Sequence, residues 1–174
     1  MQKMLLTGLL SCLLMPAFAQ MPVLKYTYAH NEWKGDSLGN HRVVVVVKTK
    51  GDVAKVVIPW RRRDENPQDK NVWVVDAQTN QRINNVLLKN ISREEGTIYF
   101  EPTSGIGKYY VYYMPYHLKG TYYPKTIYYP VKNTADKNWL DKTSKPTVQA
   151  VCSELQSVNA FNSFYPMEVI ATQK

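Results

Sequence analysis

Trp60 and the residues that follow it are the first combination in the chain able to act on a ligand. An indole ring can stack on the face of a sugar while Arg61, Arg63 and Asp64 hydrogen-bond its hydroxyls. Residues 109–129 hold nine of the thirteen tyrosines, and Tyr116-His117 lies among them, which extends the same carbohydrate-directed chemistry to a second stretch. Trp60, Arg61, Arg63, Asp64, Tyr116 and His117 are therefore candidates for ligand binding or for contact with another domain. Each has a plainer structural reading. Trp60 can be core with the arginines on a solvated loop, and tyrosines favour strands and sheet edges where one end is buried and the other wet. The structural reading is preferred for both stretches, because a single aromatic residue beside charges is common.

Acid–base and metal chemistry find less support. Adjacent acids occur at Asp64-Glu65 and Glu94-Glu95, but both pairs sit in loop-like sequence and read as solvated turns. His30, His41, His117 and Cys152 are scattered without the short spacings of a metal site, so neither metal nor cofactor is expected. The formal charge is +8, yet the basic residues are dispersed apart from Arg61-Arg62-Arg63. No nucleic-acid-binding pattern accompanies them, and no nucleic acid partner is expected.

Residues 1–19 read as a secretory leader: Lys3, an apolar run over residues 4–15, then Pro16 and the small-x-small site Ala17-Phe18-Ala19. The run falls short of the ~20 apolar residues that span a bilayer, so no membrane span is expected and the protein is placed in the periplasm or outside the cell. A lipid anchor on Cys12 is the alternative, against which Leu10-Ser11 makes a poor lipobox. Loss of the leader leaves Cys152 without a disulfide partner.

The candidate residues must be positioned by strands. Gly105-Ile106-Gly107 permits a tight turn, after which Tyr109, Val111 and Tyr113 face one way and Tyr110, Tyr112 and Met114 the other, until Pro115 ends the ladder. Both faces are apolar or aromatic, which predicts a central strand. Five consecutive valines, Val43 to Val47, predict another strand buried on both faces. Gly51-Asp52 then leads into a strand over residues 53–60, and the close spacing predicts that these two form a hairpin. Residues 23–28 read as an edge strand and 31–40 as loop. Residues 72–76 are a strand with 82–91 as its expected partner, and 92–96 close a hairpin into 97–101. Thr134 is the expected N-cap of a short helix through Leu140. Residues 147–161 are ambiguous: Val148, Val151, Leu155 and Val158 keep helical spacing, while a strand is equally compatible. Strands recurring every dozen residues predict an all-β fold, an immunoglobulin-like antiparallel β-sandwich with a short helix and an extended tail at the C-terminus. The expected divisions are a leader at 1–19, a sandwich core at 20–131 and a helix-containing extension at 132–174.

Four segments carry a family resemblance: Gly39-Asn40-His41-Arg42; Ile58-Pro59-Trp60-Arg61-Arg62-Arg63-Asp64; Gly107-Lys108-Tyr109-Tyr110-Val111-Tyr112-Tyr113-Met114-Pro115-Tyr116; and Phe161-Asn162-Ser163-Phe164-Tyr165-Pro166-Met167-Glu168. Together they resemble the N-terminal β-sandwich domain of family 123-like glycoside hydrolases exported by Bacteroidetes-type bacteria. The resemblance implies a larger catalytic (β/α)₈ barrel as partner, in which an Asp-Glu pair cleaves β-linked N-acetylgalactosamine by a substrate-assisted route. No catalytic residue of that family maps onto this sequence. The expectation is thus a non-catalytic accessory domain, a fragment without its active site, that supports or orients the barrel and has carbohydrate as a further partner. A stand-alone carbohydrate-binding module and an envelope interaction protein are the rival readings.

Overall fold

The computed structural model describes residues 24–30, 32–60, 62 and 64–158. Ten strands are assigned in it: β1 (Lys25–Tyr28), β2 (His41–Val47), β3 (Ala54–Ile58), β4 (Val72–Asp76), β5 (Val86–Lys89), β6 (Gly96–Phe100), β7 (Gly107–Tyr113), β8 (Tyr116–Lys119), β9 (Lys125–Tyr128) and β10 (Val148–Ser157). Two short helices, α1 (Gly35–Leu38) and α2 (Lys137–Lys142), and a 3₁₀ turn at Pro67–Asp69 complete the elements. The fold is all-β, as expected.

The hydrogen-bonded order is β4-β7-β2-β10-β3-β6-β5, with β1 also on β10 and β8-β9 as a separate ribbon. Strand β10 belongs to two sheets. Ala150 to Ser157 pair antiparallel with β2, whereas Val148 and Gln149 pair parallel with β3. A register shift between Cys152 and Glu154 interrupts the ladder with β2, the kind of irregularity at which strands bend. The second parallel pairing is β1 on Glu154 to Ser157 of β10, and β1 is an edge strand.

The inner faces meet in one core. Val43, Val45 and Val47 of β2 and Tyr109, Val111 and Tyr113 of β7 pack with Val56 and Ile58 of β3 and Ile98 and Phe100 of β6. Tyr109 and Val111 are fully buried, and β7 lies between β4 and β2. On the opposite face of β7 a smaller cluster forms from Ala29, Trp33, Tyr112 and Val158, with Tyr110, Trp73, Val75 and Leu38 against it. Two clusters, one on each side, explain why β7 alternates so little in polarity.

Three expectations are corrected, two by strand pairing and one by a helix cap. Strands β2 and β3 do not form a hairpin. The two edges of β2 are taken by β7 and β10, and residues 48–53 cross to the second sheet, where β3 pairs β6 and β10. Residues 82–91 do not run along β4 either. The turn holds briefly, with Asp76 N–H on the Gln81 carbonyl at 3.0 Å and Ile83 N–H on that of Val74 at 2.8 Å, and then the chain changes sheets to pair as β5 with β6. The N-cap of α2 is Asp136, whose carboxylate accepts from Asn138 and Trp139 N–H. Thr134 instead donates to the Asn84 carbonyl at 2.7 Å. The ambiguous stretch resolves as strand over Val148–Ser157; residues 159–174, with the expected tail, lie outside the described residues. Trp139 fastens α2 to the crossing loop by donating its indole N–H to the Asp52 carbonyl at 3.2 Å.

Candidate functional site

Alternation along β3 continues beyond its ladder. Ala54, Val56 and Ile58 point inward, and at the same period so do Trp60 and Arg62. The Trp60 ring is 1% exposed, lies 5.2 Å from Tyr113 and donates its indole N–H to the Ser92 carbonyl at 3.0 Å. Gly96 makes room for it, since a Cβ there would lie 2.1 Å from Trp60 Cζ2. The Arg62 guanidinium sits 5.2 Å above the same indole and is 4% exposed. It donates to both oxygens of Asp64, Nε to Oδ1 at 2.9 Å and Nη2 to Oδ2 at 2.8 Å. Lys70 Nζ adds a third bond to the carboxylate, at Oδ2 and 2.7 Å, and also reaches the Glu65 carbonyl. Burial alone would raise the Asp64 carboxyl, but the hydrogen bonds and charges of Arg62 and Lys70 outweigh it and hold the group below the ordinary carboxylate range.

This clasp extends to the ribbon. Lys70 lies 5.2 Å over the Tyr128 ring, and Tyr128 meets Tyr116 edge-on at 6.1 Å. Tyr129 N–H bonds the Pro115 carbonyl at 3.1 Å and Asn71 N–H bonds that of Tyr129 at 2.8 Å, so the base of β8-β9 is fixed to the sandwich. Tyr116 is buried, with its hydroxyl 3.4 Å from Asn40 Oδ1, whereas His117 is exposed with its ring 5.2 Å from Tyr129.

The structure thus brings Trp60, Asp64, Tyr116 and His117 to one end of the sandwich; Arg61 and Arg63 lie outside the described residues. Trp60 is not a sugar platform, because its faces are covered by Tyr113 and Arg62 and almost none of the ring meets solvent. Both oxygens of Asp64 are already engaged, Oδ1 by Arg62 and Oδ2 by Arg62 and Lys70. Two residues of this end were missed in the sequence, Arg62 and Lys70. Period-two alternation from Ile58 through Trp60 reaches Arg62 and was the signal that could have found it.

A second buried arginine, Arg42, lies on the outer face of β2. Its guanidinium is stacked 4.4 Å from the Trp33 ring and 3.9 Å from that of Tyr110. It donates to Gln156 Oε1 at 2.6 Å, to the Tyr112 hydroxyl at 3.2 Å and to the Glu32 carboxylate. Here too the charge holds neighbours together. Among the described residues, no group of three or more His, Cys, Asp or Glu is placed to hold a metal ion.

The family model described as glycoside hydrolase 123, N-terminal domain, matches residues 31–160. The chain belongs to that family. The matched span holds both sheets except β1, together with the clasp and the β8-β9 ribbon. No curated protein and no solved structure matches the chain. Glu65, Glu94 and Glu95 are exposed, and the backbone N–H groups of Glu94 and Glu95 bond Ser92 Oγ at 3.2 and 3.1 Å in a tight turn.

Proposed function

We propose that this chain is an exported, non-catalytic accessory domain that supports and orients the catalytic barrel of a glycoside hydrolase acting on β-linked N-acetylgalactosamine. Family membership supports the hydrolase context, and the observation that carries the non-catalytic part is the state of the carboxylates. A substrate-assisted hydrolysis needs one carboxylic acid to protonate the leaving oxygen and a second carboxylate to steady the acetamido nucleophile, both free to face one pocket. Asp64 is consumed by Arg62 and Lys70, and the adjacent acids stand on exposed turns. A cleft of about 150 Å³ bordered by Asn71, Arg82, Leu88, Val131 and Asn133 has no carboxylate in its lining. Export rests on the leader-like residues 1–19, with maturation after Ala19.

The test is two measurements on one preparation. The chain should release no nitrophenol from p-nitrophenyl N-acetyl-β-galactosaminide, and it should co-elute with a separately produced family 123 catalytic barrel and raise its melting temperature. Turnover that disappears on Glu65→Gln or Glu94→Gln would overturn the non-catalytic reading, and failure to associate with the barrel would overturn the supporting one.

A further inference from the structure

The β8-β9 ribbon is an arm with a fixed base and a bare tip. Tyr122 and Tyr123 at its turn are 92% and 91% exposed, and among the described residues neither ring has an aromatic or cationic neighbour. Tyrosine is seldom stripped of contacts on both faces, and here two adjacent rings are. Charge is equally one-sided. Residues 102–135 contain Lys108, Lys119, Lys125 and Lys132 and no Asp or Glu. Lys119 and Lys125 are direct cross-strand partners, both exposed, and no salt bridge joins either to an acid among the described residues. Like charges directly opposite one another destabilise a ribbon unless something neutralises them. His117 and Ile127 pair on that same face, while Tyr116 and Tyr128 lie on the other and lead into the clasp.

We propose that the arm binds an anionic polysaccharide, with Tyr122 and Tyr123 stacking on sugar rings and Lys119 and Lys125 pairing with its sulfate or carboxylate groups. Unpartnered aromatic faces suit sugar rings, and the uncompensated lysine pair supplies the charge complementarity. A ribbon four residues long offers too little area for a stable protein interface, which takes roughly 800 Å² from each side. The carbohydrate half rests on the glycoside hydrolase reading; the anionic half stands on the arm alone.

Affinity of the whole chain for three polymers tests the proposal: dextran sulfate, unsulfated dextran and poly-glutamate. Dextran sulfate should bind more tightly than either of the others. Tyr122→Ala with Tyr123→Ala should weaken it about tenfold, and Lys119→Gln with Lys125→Gln about fivefold, an effect that fades at high salt. A control pair of exposed lysines away from the arm, Lys48→Gln with Lys50→Gln, should change little. All six side chains are exposed, so circular dichroism should show the fold intact in every variant. The proposal is overturned by absence of binding to dextran sulfate, or by equal losses in the arm and control pairs, which would mean diffuse attraction to a basic chain. Equal binding to poly-glutamate, insensitive to the tyrosines, would overturn it in favour of an acidic protein surface. None of these outcomes alters whether the chain associates with a catalytic barrel, so the accessory reading stands or falls separately.

Discussion

The clasp beneath Trp60 and the tip of the β8-β9 arm use the same kinds of side chain in opposite surroundings. In the clasp an indole and a guanidinium are buried together, and one carboxylate, Asp64, pairs with both Arg62 and Lys70. At the tip two tyrosines and two lysines stand in solvent with no acid in the surrounding sequence. Backbone path, not composition, makes the difference. Strand β3 carries its inward face through Trp60 to Arg62, whereas β7 ends at Tyr113 and the next residue, Met114, with a φ of 66°, turns the chain outward at Pro115. Gly39 accommodates that departure, because a Cβ there would come within 2.7 Å of the Met114 carbonyl oxygen. Aromatic residues beside basic ones therefore mark a structural joint in one place and a free surface in another.

The largest expected contrast is in stability. Trp60→Ala empties a large core position and should cost about 3 to 5 kcal/mol, whereas Tyr122→Ala should lie within about 0.5 kcal/mol of the parent. Urea midpoints of the two variants check this, and similar midpoints would erase the distinction between joint and surface. Gly96→Ala should fall on the Trp60 side, since its methyl group would overlap the indole.

Charge gives the next contrast. Asp64→Asn leaves the Arg62 guanidinium buried without its carboxylate and should cost about 3 kcal/mol. The pH dependence has a definite sign. A carboxyl held below its ordinary value contributes stability above the unfolded value of about 4, and loses it as pH falls through the lower folded value. Asp76 adds to this acid limb: burial raises its carboxyl, but hydrogen bonds from Ser104, Thr103, Gln78 and Thr79 hold it low. Denaturation curves from pH 6 to 2 should thus be flatter in Asp64→Asn but not flat. An unchanged acid limb would mean that the Asp64 bonds add nothing in solution.

How much of this was legible in the sequence differs between the same regions. Strands β2 and β7 were readable because both faces of each are apolar or aromatic. The β5-β6 hairpin was readable because its strands are neighbours in the chain. Strand partners were not readable where the partner is remote: Arg42 of β2 pairs Gln156 of β10, and nothing local in either segment specifies it. The helical spacing of Val148, Val151 and Leu155 was overridden by the open edges of β2 and β3, which β10 fills. Arg62 was readable by alternation but hidden inside a run of three arginines. The tip tyrosines were visible as part of an aromatic stretch; only the turn at Met114 separates them from the buried tyrosines of β7.

The smallest expected effect sharpens the comparison at the arm. Lys119→Glu replaces a repulsive cross-strand pair by an attractive one opposite Lys125, a change of about 0.5 kcal/mol within the range of such pairs. The arm lies outside the two main sheets, so its strands can open without the sandwich unfolding. The gain therefore belongs to local opening, and the urea midpoint should not move. Amide hydrogen exchange in β8 and β9 should slow about twofold, while exchange in β2 and β7 stays as it was. Affinity for dextran sulfate should fall at the same time, because the new carboxylate both neutralises Lys125 and repels the polymer. Faster exchange, or tighter binding to dextran sulfate, would show that the two lysines do not share one face of the ribbon, and the free surface would lose the charge that distinguishes it from the clasp.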